Sequence, residues 1–96
     1  MRYRLLGATG LYVSELCLGT MTYGGGAGIL ANIGTLQQEA VDEQVKAAVV
    51  AGINFIDTAS GYSTGLSESL LARSLKTLEV PRGQLIIATK AKGPVN

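Results

Sequence analysis

The chain has no histidine and no tryptophan, and only one cysteine and one phenylalanine. The missing histidine excludes most: a Ser-His-Asp triad, an imidazole metal site and an imidazole acid or base are all impossible within these 96 residues. A single cysteine, Cys17, excludes an internal disulfide, so a reducing compartment, the cytoplasm, is expected. No apolar run reaches 18 residues and the N-terminus lacks the apolar stretch of a signal peptide, so neither a membrane span nor a secretory leader is expected. Charge is also scarce. Charged residues make up 16% of the chain, the net charge is +1, and no basic cluster occurs, which points away from nucleic acid and anionic membranes as partners. What is abundant is apolar surface: 47% of the residues are hydrophobic, the composition of a chain that buries itself rather than one that stays disordered.

The apolar spacing divides the chain into alternating elements. "RYRLLGATGLYVSEL" alternates on either side of a Gly-Ala-Thr-Gly turn, with Tyr3 and Leu5 before it and Leu11 and Val13 after, and predicts a β-hairpin over about 2–14. "ELCLG" predicts a strand over 15–19 that stops at Gly19-Thr20, with Cys17 as a small core residue between Leu16 and Leu18. Residues 22–34 hold five glycines and read as a long flexible loop. "TLQQ" fits a capping box from Thr35 to Gln38. Behind it Val41, Val45, Ala48 and Val49 recur at helical spacing, which predicts a helix over 37–51 with Gly52 as its stop. "INFID" reads as a buried strand over 53–57. Ser67 reads as the N-cap of a second helix over 67–78, with Leu70, Leu71, Leu75 and Leu78 on one side and Pro81 beyond its end. "QLIIATK" gives a third strand over 85–90. Strands alternating with helices of this length imply right-handed crossovers and a parallel sheet, and the nearly continuous apolar strands imply that both sheet faces are covered.

Each of the three strands ends in a small or polar residue: Gly19-Thr20, Asp57, Thr89-Lys90. In a parallel sheet these ends lie on one side, where barrel and open-sheet enzymes build their sites. Asp57 and Lys90 can then stand on neighbouring strands with Tyr62 on the following loop. An ammonium beside a tyrosine stabilises a phenolate, and a carboxylate behind it keeps the lysine charged and aimed, which makes tyrosine a usable general acid for a carbonyl oxygen that receives hydride. The same residues admit a plainer reading, in which Asp57 caps a loop, Lys90 is a solvated strand end and Tyr62 is packing. A second pattern competes: "GAGILA", 26–31, fits the dinucleotide fingerprint G-x-G-x-x-A, with Asp57 as the ribose-binding acid. Its context is poor, because the motif should follow its strand directly and open a helix, so a chance match in a glycine-rich loop is the alternative. Ser14, Ser60 and Ser63 lack an imidazole to activate them, and Glu68 suits the positive end of a helix dipole.

"LGATGLYVSELCLGTM", "AGINFIDTASGYSTGLSE" and "PRGQLIIATK" together resemble the N-terminal third of the aldo-keto reductases, in three signatures in order over nearly the whole chain. The resemblance implies a (β/α)8 TIM barrel of which residues 1–96 supply the N-terminal hairpin, the first three strands and two helices. It implies NADPH-dependent, metal-free reduction of small aldehydes or ketones. It puts three catalytic residues at Asp57, Tyr62 and Lys90, and a nicotinamide pocket at Gly19, Thr20, Met21, Tyr23 and Asp57. The family's catalytic histidine and its grip on the cofactor's phosphates fall outside these residues. A barrel of about 250 residues cannot be closed by 96, so the remainder of the barrel is an expected partner, and the 96 residues alone are expected to be inactive. A non-catalytic role stays open, either as an inactive fragment or as a cofactor-binding regulatory subunit like the β subunits of potassium channels.

Overall fold

The computed structural model describes residues 1–25 and 36–91. They run β1 (Tyr3–Leu5), β2 (Tyr12–Ser14), β3 (Leu18–Gly19), α1 (Gln38–Val50), β4 (Phe55–Asp57), α2 (Leu66–Thr77) and β5 (Ile86–Ala88). β1 and β2 pair antiparallel as the hairpin, and β3, β4 and β5 form a parallel sheet in that order. The hairpin turn closes through the Leu6 N–H to the Leu11 carbonyl, 2.8 Å, with Gly7 and Gly10 both at positive φ. Its register pairs Arg4 with Val13 and Leu5 with Tyr12, so Val13 shares a face with Arg4 rather than with Tyr3 and Leu5.

The helices form where the apolar spacing requires them. Val41, Val45 and Ala48 of α1 and Leu70 and Leu71 of α2 are buried, and all of these but Ala48 meet Ile56 of β4, Leu85 and Tyr23 in one core. Leu18, Ile56 and Ile87 pack into this core from the sheet. Side chains alternate along a strand, so Gly19, Phe55, Asp57, Ile86 and Ala88 face the other side. Among the described residues that other side carries no helix.

Both helices end in the same reciprocal pair of hydrogen bonds, with a left-handed residue just past the last turn. In α1 the Gly52 N–H reaches the Val49 carbonyl and the Ile53 N–H the Ala48 carbonyl, with Gly52 at φ +93. In α2 the Glu79 N–H reaches Lys76 and the Val80 N–H reaches Leu75, with the non-glycine Glu79 at φ 55. The hairpin docks on the first of these ends: the Tyr3 hydroxyl donates to the Gly52 carbonyl at 2.6 Å. It is held from the sheet side by Asn54 and Ser14, each of which accepts a backbone N–H from the other in its side chain, 2.7 and 3.1 Å.

Four expectations change. β3, expected over 15–19, begins at Leu18, so Cys17 precedes it and is exposed instead of sitting in the core. α2 starts at Leu66 after a left-handed Gly65. Ser67 therefore lies inside the helix, buried, with its hydroxyl on the Thr20 carbonyl at 2.7 Å rather than on its own helix end. Gln38 is the first residue of α1, and it does not reach back as a capping partner: its amide donates to Asp42, the Leu70 carbonyl and Ser74. Thr35 lies outside the described residues, as does the "GAGILA" pattern. Of the loop read over 22–34, the described Tyr23 and Gly24 are buried, because the tyrosine ring belongs to the core and Tyr23 bridges to Leu36.

Candidate active site

β4 and β5 run in register, Asp57 opposite Ala88. Lys90 lies two residues beyond Ala88, so the alternation returns it to the Asp57 side of the sheet. Its ammonium donates to Asp57 Oδ1 at 2.8 Å, to the Thr58 carbonyl at 3.0 Å and to the Tyr62 hydroxyl oxygen at 3.3 Å. It also lies 5.1 Å from the centre of the Tyr62 ring, within cation–π range. The Asp57 hydrogen bond raises the lysine pKa above its ordinary value; desolvation opposes this, and the bond to Tyr62 adds to it. The lysine is therefore held as an ammonium, with all three donors directed at one carboxylate, one carbonyl and one phenol. Asp57, Tyr62 and Lys90 form a single hydrogen-bonded cluster on the open side of the strand ends.

The loop between β4 and α2 carries the tyrosine. The Thr58 N–H continues the sheet onto the Ala88 carbonyl at 2.8 Å. Ser60 then grips the lysine's own backbone: both its N–H and its hydroxyl donate to the Lys90 carbonyl at 2.9 Å. The spacing of the sequence does not reveal these two contributions: the Thr58 carbonyl is a backbone group that every residue has, and the Ser60 clamp closes on the backbone carbonyl of a residue 30 positions away.

The other candidates divide by exposure. Gly19 and Met21 are exposed, and a Cβ added at Gly19 would meet no atom within 4 Å. Thr20 is fully buried: its N–H and its hydroxyl both donate to the Asp57 carbonyl at 3.1 Å, and its own carbonyl receives Ser67. The Tyr23 side chain is equally buried, in the core, and burial raises its pKa. The side chains of Thr20 and Tyr23 thus hold the strand end from beneath, and Gly19, Met21 and Asp57 form its surface. Desolvation and the nearby Asp57 charge push the Cys17 thiol up, the opposite of an activated nucleophile. Glu68 sits in the first turn of α2, as its charge favours, and accepts the Thr89 hydroxyl at 2.8 Å. Among the described residues there is no metal-binding cluster of Cys, Asp or Glu, and no helix is long and apolar enough to cross a membrane.

Comparison with known proteins agrees with this architecture. The family model of the aldo/keto reductases matches residues 15–96. L-galactose dehydrogenase of Arabidopsis thaliana is 42% identical over 87 residues, which cover 91% of this chain and 25% of that protein. The NADH-specific methylglyoxal reductase of Escherichia coli is 40% identical over 85 residues, 88% of this chain and 24% of that protein. The solved structure of an aldo-keto reductase from Bacillus halodurans, AKR11C1 in its holo form, superposes with a TM-score of 0.74 at 32% identity, over 95% of this chain and 26% of that one. The chain therefore spans about a quarter of the length of the relatives it matches. Those relatives are TIM barrels of a family that uses nicotinamide cofactors in oxidoreductase chemistry on carbonyls and alcohols. A parallel sheet with this hairpin, matched in sequence over most of its length and in backbone over nearly all of it, belongs to the aldo/keto reductase family.

Proposed function

We propose that residues 1–96 are the N-terminal part of a (β/α)8 barrel that reduces small aldehydes or ketones to alcohols with NADPH, and that Tyr62 is its proton donor. The observation that carries this reading is the Lys90 ammonium, shared between Asp57 and Tyr62 at 2.8 and 3.3 Å on the exposed side of the strand ends. The barrel part of the reading is supported by the sheet. Among the described residues β3 and β5 each have one neighbouring strand, and a groove of about 320 Å³, lined by Leu71, Leu75, Val80 and Ile87, lies open beside β5.

The residues present fit the nicotinamide half of such a cofactor. Exposed Gly19 and Met21, with open space over the glycine, leave a shelf next to Asp57 for a flat ring. When bound, the nicotinamide supplies the hydride. The chain's own residues handle the proton. Lys90 occupies a lone pair of the Tyr62 oxygen, which leaves the phenol proton free to point at the substrate. As negative charge grows on the carbonyl oxygen, Tyr62 delivers that proton, and the ammonium faces the oxygen left negative behind it. Asp57 holds the ammonium in place, and the Thr58 carbonyl fixes its third direction.

The test is Tyr62→Phe in the full-length barrel, assayed with a simple aldehyde and with NADPH and NADH separately. Phe keeps the ring and removes the proton, so kcat is expected to fall about 10²–10⁴-fold, the usual worth of a general acid. Cofactor affinity, read by fluorescence, should stay within about threefold, because the cofactor's shelf is built by other residues. A kcat near that of the unmodified enzyme would overturn the mechanism.

A further inference from the structure

We propose that Ser63 is a positioning residue: its hydroxyl ties the loop that carries Tyr62 to the loop that follows β3, and thereby sets where the Tyr62 hydroxyl sits. The inference rests on the reading of Tyr62 as the proton donor.

Ser63 follows the tyrosine directly and has the wrong backbone for a serine. It sits at φ 50, ψ 40, and Thr64 follows at φ 53, ψ 38, two successive left-handed residues, neither of them glycine. L-residues avoid this region and glycine enters it freely. Such a conformation persists where the surroundings fix it. Here the fixing contacts come from the Ser63 side chain. It is 4% exposed, its Oγ donates to the Tyr23 carbonyl at 3.0 Å, and it accepts the Gly25 N–H at 3.2 Å. The two loops approach so closely that a Cβ on Gly24 would stand 2.6 Å from both Cβ and Oγ of Ser63.

Without this tie the backbone of the tyrosine's turn has only local hydrogen bonds. The Tyr62 N–H bonds to the Ala59 carbonyl at 3.2 Å and the Thr64 N–H to the Gly61 carbonyl at 3.4 Å. Upstream, Ser60 anchors the loop to the Lys90 backbone, and downstream the next bond to another element is that of Ser67 to Thr20, inside α2. Tyr62 therefore stands between two serine anchors, one on the strand of its lysine partner and one on the loop beyond Gly19 and Met21. A glycine at 63 would suit the backbone better and would forfeit the second anchor. Tyr23 is fully buried in the core, so the carbonyl that Ser63 holds belongs to a packed residue. The hydroxyl thus transmits the rigidity of the core to the residue proposed to deliver the proton.

The experiment is a double-mutant cycle in the full-length barrel: Ser63→Gly, Tyr62→Phe and the two together, each measured for kcat, for cofactor affinity and for thermal midpoint. Ser63→Gly removes the hydroxyl and relieves the left-handed backbone, so folding is retained. If its thermal midpoint nevertheless collapses, Gly24→Ala, which keeps the hydroxyl and forces the loops apart, takes its place in the cycle. Misplacement by about 1 Å costs on the order of 10²-fold in rate. Ser63→Gly is accordingly expected to lower kcat roughly 10–100-fold, with cofactor affinity within about threefold. In the Tyr62→Phe enzyme the same change should lower kcat by less than about threefold, because the group it positions is gone. An equal fold loss in both backgrounds would make Ser63 a general stabiliser and overturn the proposal, as would an unchanged kcat in the Tyr62 background. A Tyr62→Phe enzyme with undiminished kcat would instead overturn the assignment of the proton donor, a separate failure.

Discussion

Replacing Lys90 by methionine separates what the lysine does for the fold from what it does for the chemistry. Met keeps the apolar stem as far as the ε-carbon and removes three hydrogen bonds, to Asp57, to the Thr58 carbonyl and to Tyr62. The side chains of the ion pair are 51% and 40% exposed, and exposed pairs contribute little to stability. The thermal midpoint should therefore move by no more than about two degrees. The rate should respond quite differently. Loss of one preorganised donor at a site of developing charge costs about 10²–10³ in kcat, and Lys90 is the donor aimed at the oxygen that gives up its proton. The measurement is kcat and thermal midpoint on the same full-length preparation, with cofactor affinity as control. A companion pH series checks the charge. The raised pKa means that Lys90's contribution is complete below its ordinary value of 10.5 and is lost only as pH rises through a still higher folded value. No lysine-dependent fall in activity should appear across the neutral and mildly alkaline range. A Lys90→Met enzyme within threefold of the original kcat would refute the reasoning, and so would a loss of activity matched by loss of folded protein.

The remaining predictions concern the helices. Glu79→Gly should stabilise the fold: a left-handed non-glycine residue is disfavoured by about 1–2 kcal/mol, glycine's extra freedom in the unfolded chain offsets about 0.4–1, and a net gain of roughly 0.5–1 kcal/mol should appear as a higher denaturant midpoint. A lower midpoint would mean that Glu79's side chain holds something at the end of α2. Asp42 accepts hydrogen bonds from Ser74 and Gln38, which lower its pKa below the ordinary 3.8. Its contribution is present above that ordinary value and lost as pH falls through the folded one. Asp42→Asn should therefore be less stable than the original at neutral pH, with the difference closing in acid; a difference that does not change with pH would refute the link between α1 and α2.

The elements with strong apolar periodicity were the legible ones. α1, read over 37–51, spans Gln38–Val50, and α2, read over 67–78, spans Leu66–Thr77, because Val41, Val45 and Ala48 and then Leu70 and Leu71 must share a face to be buried together. Strand order made the nearness of Asp57 and Lys90 possible, since parallel neighbours bring their ends together, but it left a plainer reading open, and Tyr62, on a loop, was placed beside them by the family resemblance. Details that depend on tertiary contact were not legible. Alternation cannot tell where pairing starts, so β3 was read as longer than Leu18–Gly19 and Cys17 as buried. Ser67 has the composition of a cap, yet Gly65 turns the chain into α2 and frees the serine to bond Thr20. Tyr23 stands next to glycines in a stretch read as a loop and, by the resemblance, as pocket lining, while its ring belongs to the core. The Ser63 and Gly24 contact joins positions 39 residues apart, and no local pattern announces it.

The one-to-one register of β4 and β5 makes insertions and deletions unequal along this chain. Leu18, Ile56 and Ile87 meet the helices while Asp57 meets the opposite side, so the placement of the carboxylate depends on whether an odd or an even number of residues separates it from Ile56. One residue added between them would not slide Asp57 along the strand by a small step. It would turn the carboxylate into the helical layer, among Val41, Val45 and Leu71, and carry the following loop around with it. The loops absorb changes of length by rebuilding a turn, whereas these strand ends tolerate them only in pairs.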